Sequence, residues 1–324
     1  MTVRPPHGFE LPELVSVANH VLTDEAADLA AALDRFSRLP RPFCAWEQDD
    51  KAWSSLVTTG GEGRARLLRY TRHQAALTYI NAYDHLLTLA RVLGGDGAMS
   101  LLSHSSLSRV VCEAAVRVAW LMDRGIGSEE RVVRGAVALF LSAEERYKAV
   151  RRLPSASFPP SVLKQLVASC NDERAKVEEL ITGAGLSFGY SRNGKNKARL
   201  ELESPPVSVP LKLEITEMTA KLLPDSPSWY NIGSSVVHSY YWGLRDVDSA
   251  SPGGRMALAP NVLDVGAAVE SAISASGLII DRVGRYYGHD PSVEVQRTRD
   301  RRQQVDVLMI RAAKSGWAYV PTEA

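Results

Sequence analysis

The chain has few cysteines and no cysteine motif. Cys44, Cys112 and Cys170 are the only three among 324 residues, they are widely spaced, and no CxxC occurs. An odd number of isolated cysteines argues against a disulfide framework and against a structural zinc site, and it fits a reducing compartment. We therefore expect a cytoplasmic protein.

The sequence also lacks the short motifs that hold common metals and cofactors. It contains no HExxH, no ExxH and no cluster of cysteine and histidine, and neither GxGxxG nor GxxxxGK[ST] occurs. Asp49-Asp50 is a lone acidic pair without the second acidic motif that helical enzymes cleaving prenyl diphosphates need. The sequence predicts neither a metal nor a cofactor.

Neither sign of charge is in excess, and no segment is built to cross a membrane. Lysine and arginine number 38 against 37 aspartates and glutamates, whereas a dedicated nucleic-acid binder has a strong basic excess. The first 14 residues have no apolar run typical of a signal peptide. Val262–Ile280, an apolar window, contains Asp264 and Glu270 and therefore predicts a buried helix. We expect no membrane partner.

Helical periodicity is what the sequence has in abundance. Apolar residues recur three and four positions apart, between helix-start and helix-stop signals. The predicted helices are Thr23–Leu39, Glu62–Leu93, Leu101–Met122, Ser128–Leu153, Ser161–Ile181, Leu213–Leu223, Ser228–Leu244, Pro260–Tyr287 and Val293–Lys314. Residues 40–61 are predicted as a long loop with one short helical turn. The fold class is all-α, a multi-helix bundle of roughly eight to ten helices.

Residues 183–212 interrupt this pattern with a segment rich in glycine and proline. Alternation around Ala198–Glu203 predicts a short strand or hairpin, with a turn at Asn193-Gly194. Such a long irregular segment favours a functional or mobile loop, such as a lid. The predicted organisation is an N-terminal helix and loop extension over 1–61, then one bundle domain over 62–324 that carries this inserted loop.

One predicted helix has charged side chains on a single face among valines and alanines. Arg109 and Arg117 lie four residues before and after Glu113, so both can pair with its carboxylate, and Trp120 follows on the same face. A charged triad in apolar surroundings is costly unless it is paired or serves a function. A structural ion pair that fixes helix packing is the commoner arrangement.

A second polar row lies on the predicted helix Ser228–Leu244. Tyr230, Ser234, His238 and Tyr241 share one side of it at spacings of three and four. A histidine one turn after a serine can bond that hydroxyl and act as an acid or base when a carboxylate orients it. The alternative is a histidine satisfied within a helix interface.

These two rows carry a resemblance. The patterns Arg109-x3-Glu113-x6-Trp120-Leu121, Arg131-x2-Arg134 and Tyr230-x3-Ser234-x3-His238-x4-Gly243-Leu244 resemble a family of uncharacterised actinobacterial helical proteins. The resemblance covers residues 100–245 and implies that the Arg109–Glu113–Arg117 set and the Ser234–His238 set form one cluster. A more distant similarity is to HEPN-type helical proteins, from which the chain departs in lacking a clean nuclease motif.

Three functions follow as hypotheses. The first is a bundle whose internal Arg/Glu/Ser/His site binds a small or phosphorylated ligand, with Trp120, Tyr230 and Tyr241 in the pocket. The second is a HEPN-like ribonuclease or toxin-type effector, which would be a homodimer acting on RNA and would use the Arg282-x6-His289 pair. The third is a non-catalytic interaction protein that uses the basic turn 297–302, although such a turn is usually only a solvated surface.

Overall fold

The computed structural model describes residues 11–59, 61–95, 102–154, 158–194, 196–224, 226–238, 248–250, 256–258 and 262–314. These residues form ten helices and two small antiparallel sheets. The predicted all-α, multi-helix bundle is therefore confirmed.

The elements follow one another along the chain with short connections. They are α1 Leu11–Arg38, α2 Ala45–Thr58, α3 Glu62–Gly94, α4 Ser103–Leu121, α5 Ser128–Arg151, α6 Pro160–Gly183, β1 Leu186–Tyr190, β2 Lys197–Leu202, β3 Val207–Pro210, α7 Ile215–Leu222, α8 Pro227–Val237, β4 Asp248–Ala250, β5 Met256–Leu258, α9 Val262–Tyr286 and α10 Ser292–Ala312. The largest departure from the predicted helices is α2, a full helix in place of one turn in a loop.

The central helix of the bundle is α9. It packs against α1, α4 and α10, and most of its side chains are buried. Its length and composition alone would suit a membrane span, but 78% of its most apolar window is buried within the bundle. The apolar run around Val265 and Ile279 therefore serves as a core helix, as its embedded acidic residues predicted.

The N-terminal helix α1 belongs to the same core. Leu14, Leu22, Leu29 and Phe36 are buried against neighbouring helices. The helix begins well before the predicted start because Thr23 is not a cap: its hydroxyl donates to the carbonyl of Asn19, 2.8 Å away and one turn earlier. The first described segment is thus part of the bundle and packs inside it.

The glycine- and proline-rich segment folds into a three-stranded antiparallel sheet in the order β1-β2-β3. The turn at Asn193-Gly194 forms as predicted, with Gly194 at φ +67. Leu186, Leu200 and Val209 are buried in a second hydrophobic core with α5 and α6. The segment is therefore a folded wall of this core, and the prediction of a long irregular loop is wrong.

The basic turn of α10 is only in part the solvated surface that its sequence predicted. Arg301 contacts Glu25 at 2.7 Å and Asp28 at 2.8 Å, and its side chain is only 13% exposed. Arg297 also reaches Asp28, at 3.2 Å. Burial raises the pKa of the Glu25 carboxyl, while its bonds to Arg301 and Thr298 lower it. These arginines join α10 to α1, because acidic residues of α1 face them.

A second buried carboxyl lies between α9 and α10. Burial, and then the hydrogen bond and charge of Asp306, raise the pKa of Glu270 to about 8, against a lowering effect of Arg302. The folded protein therefore keeps a proton that the unfolded chain releases above its ordinary pKa of 4.5. By linkage, this stabilisation is fully present below that value and is lost as pH rises through about 8.

We expect Glu270→Gln to remove this pH dependence. Between about pH 5 and about pH 9, the melting temperature of the wild type should fall relative to that of the variant. Differential scanning calorimetry across this range measures both curves. Glu145→Gln is the matched control, because the Glu145 side chain is 68% exposed. Parallel curves for the wild type and Glu270→Gln would contradict the assignment.

Candidate functional site

The predicted polar face of α4 lies at the surface of the bundle. Arg117 donates to Glu113 at 2.9 Å, and the two side chains are 40% and 32% exposed. The guanidinium of Arg134 covers the ring of Trp120 at 5.2 Å and also donates to the Trp120 carbonyl. The Glu113–Arg117 pair is thus half-exposed and screened by solvent, and it is not the internal ion pair that the apolar flanks suggested.

The helix that carries the second polar row, α8, packs against the first half of α4. A Cβ atom on Gly233 would lie 2.9 Å from the carbonyl oxygen of Ser105 and 3.1 Å from Cβ of Arg109. Only a glycine permits this approach, so Arg109 is the predicted α4 residue that the structure brings to α8. Ser234 is half-buried, and the exposed His238 ends the helix.

The positions of two predicted site side chains, those of Tyr230 and Tyr241, are not described. The side chain of Tyr230 and the whole of Tyr241 lie outside the described residues. The described part of the chain therefore joins Arg109 to α8, and it places Glu113, Arg117 and Trp120 on the later turns of α4.

Glu113 and Arg117 line a shallow groove of about 400 Å³, which we call the α3–α4 groove. Its described lining comes from α3 and α4 alone: Gln74, Leu77, Thr78, Asn81, Val110, Glu113, Ala114 and Arg117. The amide and hydroxyl groups of α3 face the ion pair across it. This groove can hold a polar group, but it is small for a whole ligand.

A larger groove of about 1240 Å³ lies next to it, between α3 and α6. We call it the α3–α6 groove, and it is lined by Glu62, Gly63, Arg66, Arg69, Tyr70, His73, Leu139, Ser169, Asp172, Glu173, Lys176, Val177, Glu179, Leu180 and Gly183. At one end the two helices meet, where Arg64 donates to the Ala184 carbonyl at 2.9 Å. Leu139, Val177 and Leu180 give the groove an apolar part.

The two walls of the α3–α6 groove differ in how their charges are satisfied. On α6, Lys176 pairs with Asp172 at 2.7 Å, and Glu173 pairs with Arg146 at 2.7 Å. On α3, Arg66, Arg69 and His73 are all exposed and form no ion pair with a described acidic side chain, although Glu62 also lines this wall one turn before Arg66. The α6 wall carries Glu179 in addition to these paired groups, so the arginines of the groove are concentrated on α3 and its acidic side chains mostly on α6.

Tyr70 marks the place where the two grooves adjoin. It lines the α3–α6 groove, and its hydroxyl donates to Oε1 of Gln74, which lines the α3–α4 groove, at 3.2 Å. Burial, and then the charge of Glu173, raise the pKa of the Tyr70 hydroxyl. This hydroxyl stays a neutral hydrogen-bonding group over the physiological range.

Sequence reasoning treated this helix only as a core element and missed its outward face. The signal was present: Arg66, Arg69 and His73 follow one another at spacings of three and four, the period of a single helix face. A basic row on a helix is usually only a solvated surface. This row is a candidate site because α6 forms the opposite wall of a groove.

The residues proposed for other chemistry take different roles in the structure. Among the described residues, no group of three or more histidine, cysteine, aspartate or glutamate side chains is arranged to hold a metal ion. The ring of His289 lies 2.9 Å from the Leu39 carbonyl oxygen and packs on Phe36 with centroids 5.0 Å apart. It thereby links the end of α9 to the end of α1.

Comparisons of the chain with protein-family models, with curated proteins and with solved structures found no match in any of the three. The resemblance to actinobacterial helical proteins, and the more distant one to HEPN-type proteins, therefore stay predictions.

Proposed function

We propose that the protein binds a phosphorylated small molecule in the α3–α6 groove. The observation that carries the proposal is the row on the outward face of α3, where the exposed Arg66 and Arg69 are followed by His73 and form no ion pair with a described acidic side chain. The ligand class is the one expected from the sequence, but the proposed site lies on α3 and differs from the predicted internal cluster around His238.

The chemistry of the row favours phosphate. Each arginine presents a planar set of N–H donors that matches two oxygens of a phosphate at once, and charge-assisted bonds of this kind are stronger than neutral ones. From Arg66 to His73 the helix rises about 10 Å, which is enough for one anionic group and part of the body it carries. Two arginines over this length favour a ligand with more than one negative charge.

The apolar part of the groove favours a ligand that is more than a free anion. Leu139, Val177 and Leu180 can cover an apolar or aromatic moiety while the phosphate contacts α3. Pockets for small molecules typically combine such an apolar lining with a few placed polar groups. An extended ligand would pass Tyr70 and reach the Glu113–Arg117 pair in the adjoining α3–α4 groove.

The test is a binding panel measured by thermal shift and then by isothermal titration calorimetry at constant ionic strength. ATP, AMP, glucose 6-phosphate and pyrophosphate are compared with adenosine and glucose. We expect phosphorylated compounds to bind and their unphosphorylated counterparts not to bind. Arg69→Ala should weaken binding about 10- to 100-fold, since a lost bond to a charged group is worth about 1.5–3 kcal/mol.

The matched control is Arg91→Ala, an exposed arginine further along the same helix and outside the groove. It should bind like the wild type. Glu113→Gln separates the two grooves, because only a ligand that extends past Tyr70 will respond to it. The proposal is wrong if no phosphorylated compound binds, or if Arg91→Ala weakens binding as much as Arg69→Ala.

A further inference from the structure

Helices α5 and α6 form an antiparallel pair whose connected ends extend beyond the two cores. The buried residues of α6 are Cys170, Val177 and Ile181, so its first ten residues include none. No described side chain over 144–154 and 158–169 is buried. We call residues 146–154 and 158–169 the hairpin tip.

Apolar side chains are exposed at the hairpin tip. Phe158, Val162 and Leu166 are 38%, 37% and 37% exposed. Val162 and Leu166 share one face of α6 at a spacing of four residues, and Phe158 lies two residues before the helix; we call these three residues the apolar stripe. Pro154 and Pro159, on either side of the connection, are exposed as well. A stripe of this kind leaves apolar surface in water unless it meets a partner.

The same segment is basic and contains no acidic residue. Residues 146–171 include five basic residues and no aspartate or glutamate. Arg146 pairs with Glu173 and Lys148 pairs with Glu145, each at 2.7 Å. Arg151, Arg152 and Lys164 are exposed, and no described acidic group pairs with them. The tip therefore combines free positive charge with exposed apolar side chains.

We infer that the hairpin tip binds the surface of an anionic lipid membrane. Anionic headgroups attract the cations near the surface, and the apolar stripe enters the boundary between headgroups and acyl chains. A second copy of the chain fits less well, because two such tips repel each other. A nucleic acid would use the cations and leave the apolar stripe in water. Such binding needs no membrane-spanning helix, and it departs from the expectation of no membrane partner that the sequence suggested.

The experiment is sedimentation of the full chain with vesicles of phosphatidylcholine alone and of phosphatidylcholine mixed with phosphatidylglycerol. We expect binding to the mixed vesicles only, and weaker binding as salt is raised. The triple variant Arg151→Glu/Arg152→Glu/Lys164→Glu should bind at least about tenfold more weakly. Phe158→Ala/Leu166→Ala should also weaken binding, at unchanged charge.

The control variant, Arg91→Glu/Arg299→Glu/Lys314→Glu, makes the same change in net charge at exposed positions elsewhere and should bind like the wild type. Circular dichroism and melting curves establish that each variant is folded. Equal binding to neutral vesicles, or an equal loss in the control variant, would overturn the inference. The inference would also be overturned if the protein bound duplex DNA and not vesicles, provided that the triple variant lost this DNA binding and Phe158→Ala/Leu166→Ala kept it. An Arg66→Ala/Arg69→Ala variant should bind vesicles normally, which separates this inference from the ligand site.

Discussion

Asp49→Ala is expected to lower the free energy of unfolding by about 3–5 kcal/mol, because it leaves a buried arginine without its carboxylate. Arg131 and Asp49 are 1% and 0% exposed, and Nε of Arg131 lies 2.8 Å from Oδ2 of Asp49. Among the described residues, no other ion pair has both of its side chains buried to this degree. Chemical denaturation followed by circular dichroism measures the loss.

The surroundings of the pair explain why it is stable when both partners are present. Tyr286 donates its hydroxyl to the same Asp49 oxygen at 2.7 Å. The other two nitrogens of the Arg131 guanidinium donate to the carbonyls of Asp123 and Ile126, at 2.7 and 2.9 Å. The pair therefore joins α2, α5 and α9 and also satisfies the carbonyls between α4 and α5. Burial, and then the Asp49 charge, raise the pKa of Tyr286.

A double-mutant cycle distinguishes an ion pair from simple loss of packing. Asp49→Leu/Arg131→Met should be less destabilised than the sum of its two single changes, since neither charge is left alone. Arg131→Met alone should cost more than Asp49→Leu, because it also frees two carbonyls. The control is Asp34→Ala in the exposed Arg38–Asp34 pair of α1, where we expect a change within about 0.5 kcal/mol. Strict additivity in the cycle would contradict this account.

Gly135→Val is expected to destabilise the protein by about 3 kcal/mol or more, because it forces α3 and α5 apart. A Cβ atom at Gly135 would lie 1.9 Å from Oγ1 of Thr71 and 2.9 Å from the Leu67 carbonyl oxygen. Backbone cannot move aside as a flexible side chain can. The Thr71 hydroxyl also lies 3.0 Å from the carbonyl oxygens of both Leu67 and Arg131, so the contact holds a buried polar link between the helices.

The test compares thermal unfolding of Gly135→Ala and Gly135→Val with that of Gly183→Ala. Alanine is a better helix former than glycine by about 1 kcal/mol, which offsets part of the clash. Gly135→Ala should therefore lower the melting temperature less than Gly135→Val does. Gly183 has no heavy atom within 4 Å of a built Cβ, so alanine there should be neutral or stabilising. Thr71→Ala should partly rescue Gly135→Ala. Equal melting temperatures for wild type and Gly135→Val would show that the helices are not held this closely.

Two charged pairs show what local sequence predicts and what it does not. The face of α4 with Glu113 and Arg117 was predicted from spacing alone, and the pair forms. Its position at the surface was not predictable, because burial depends on which helices cover α4, and apolar flanks do not reveal that. From the sequence, Asp49 is only half of an isolated acidic pair in a predicted loop, for the same reason: its partner, Arg131, is far away in the chain.

By itself, the sequence determined the helical class, most helix positions and the buried role of α9, because periodicity and capping act within a few turns of the same helix. Tertiary structure alone decided that Arg301 pairs with α1 and that the strands of residues 186–210 pack against α5 and α6. It also decided that the basic row of α3 faces a groove. Each of these outcomes depends on contacts between segments far apart in the chain, which no local pattern of residues specifies.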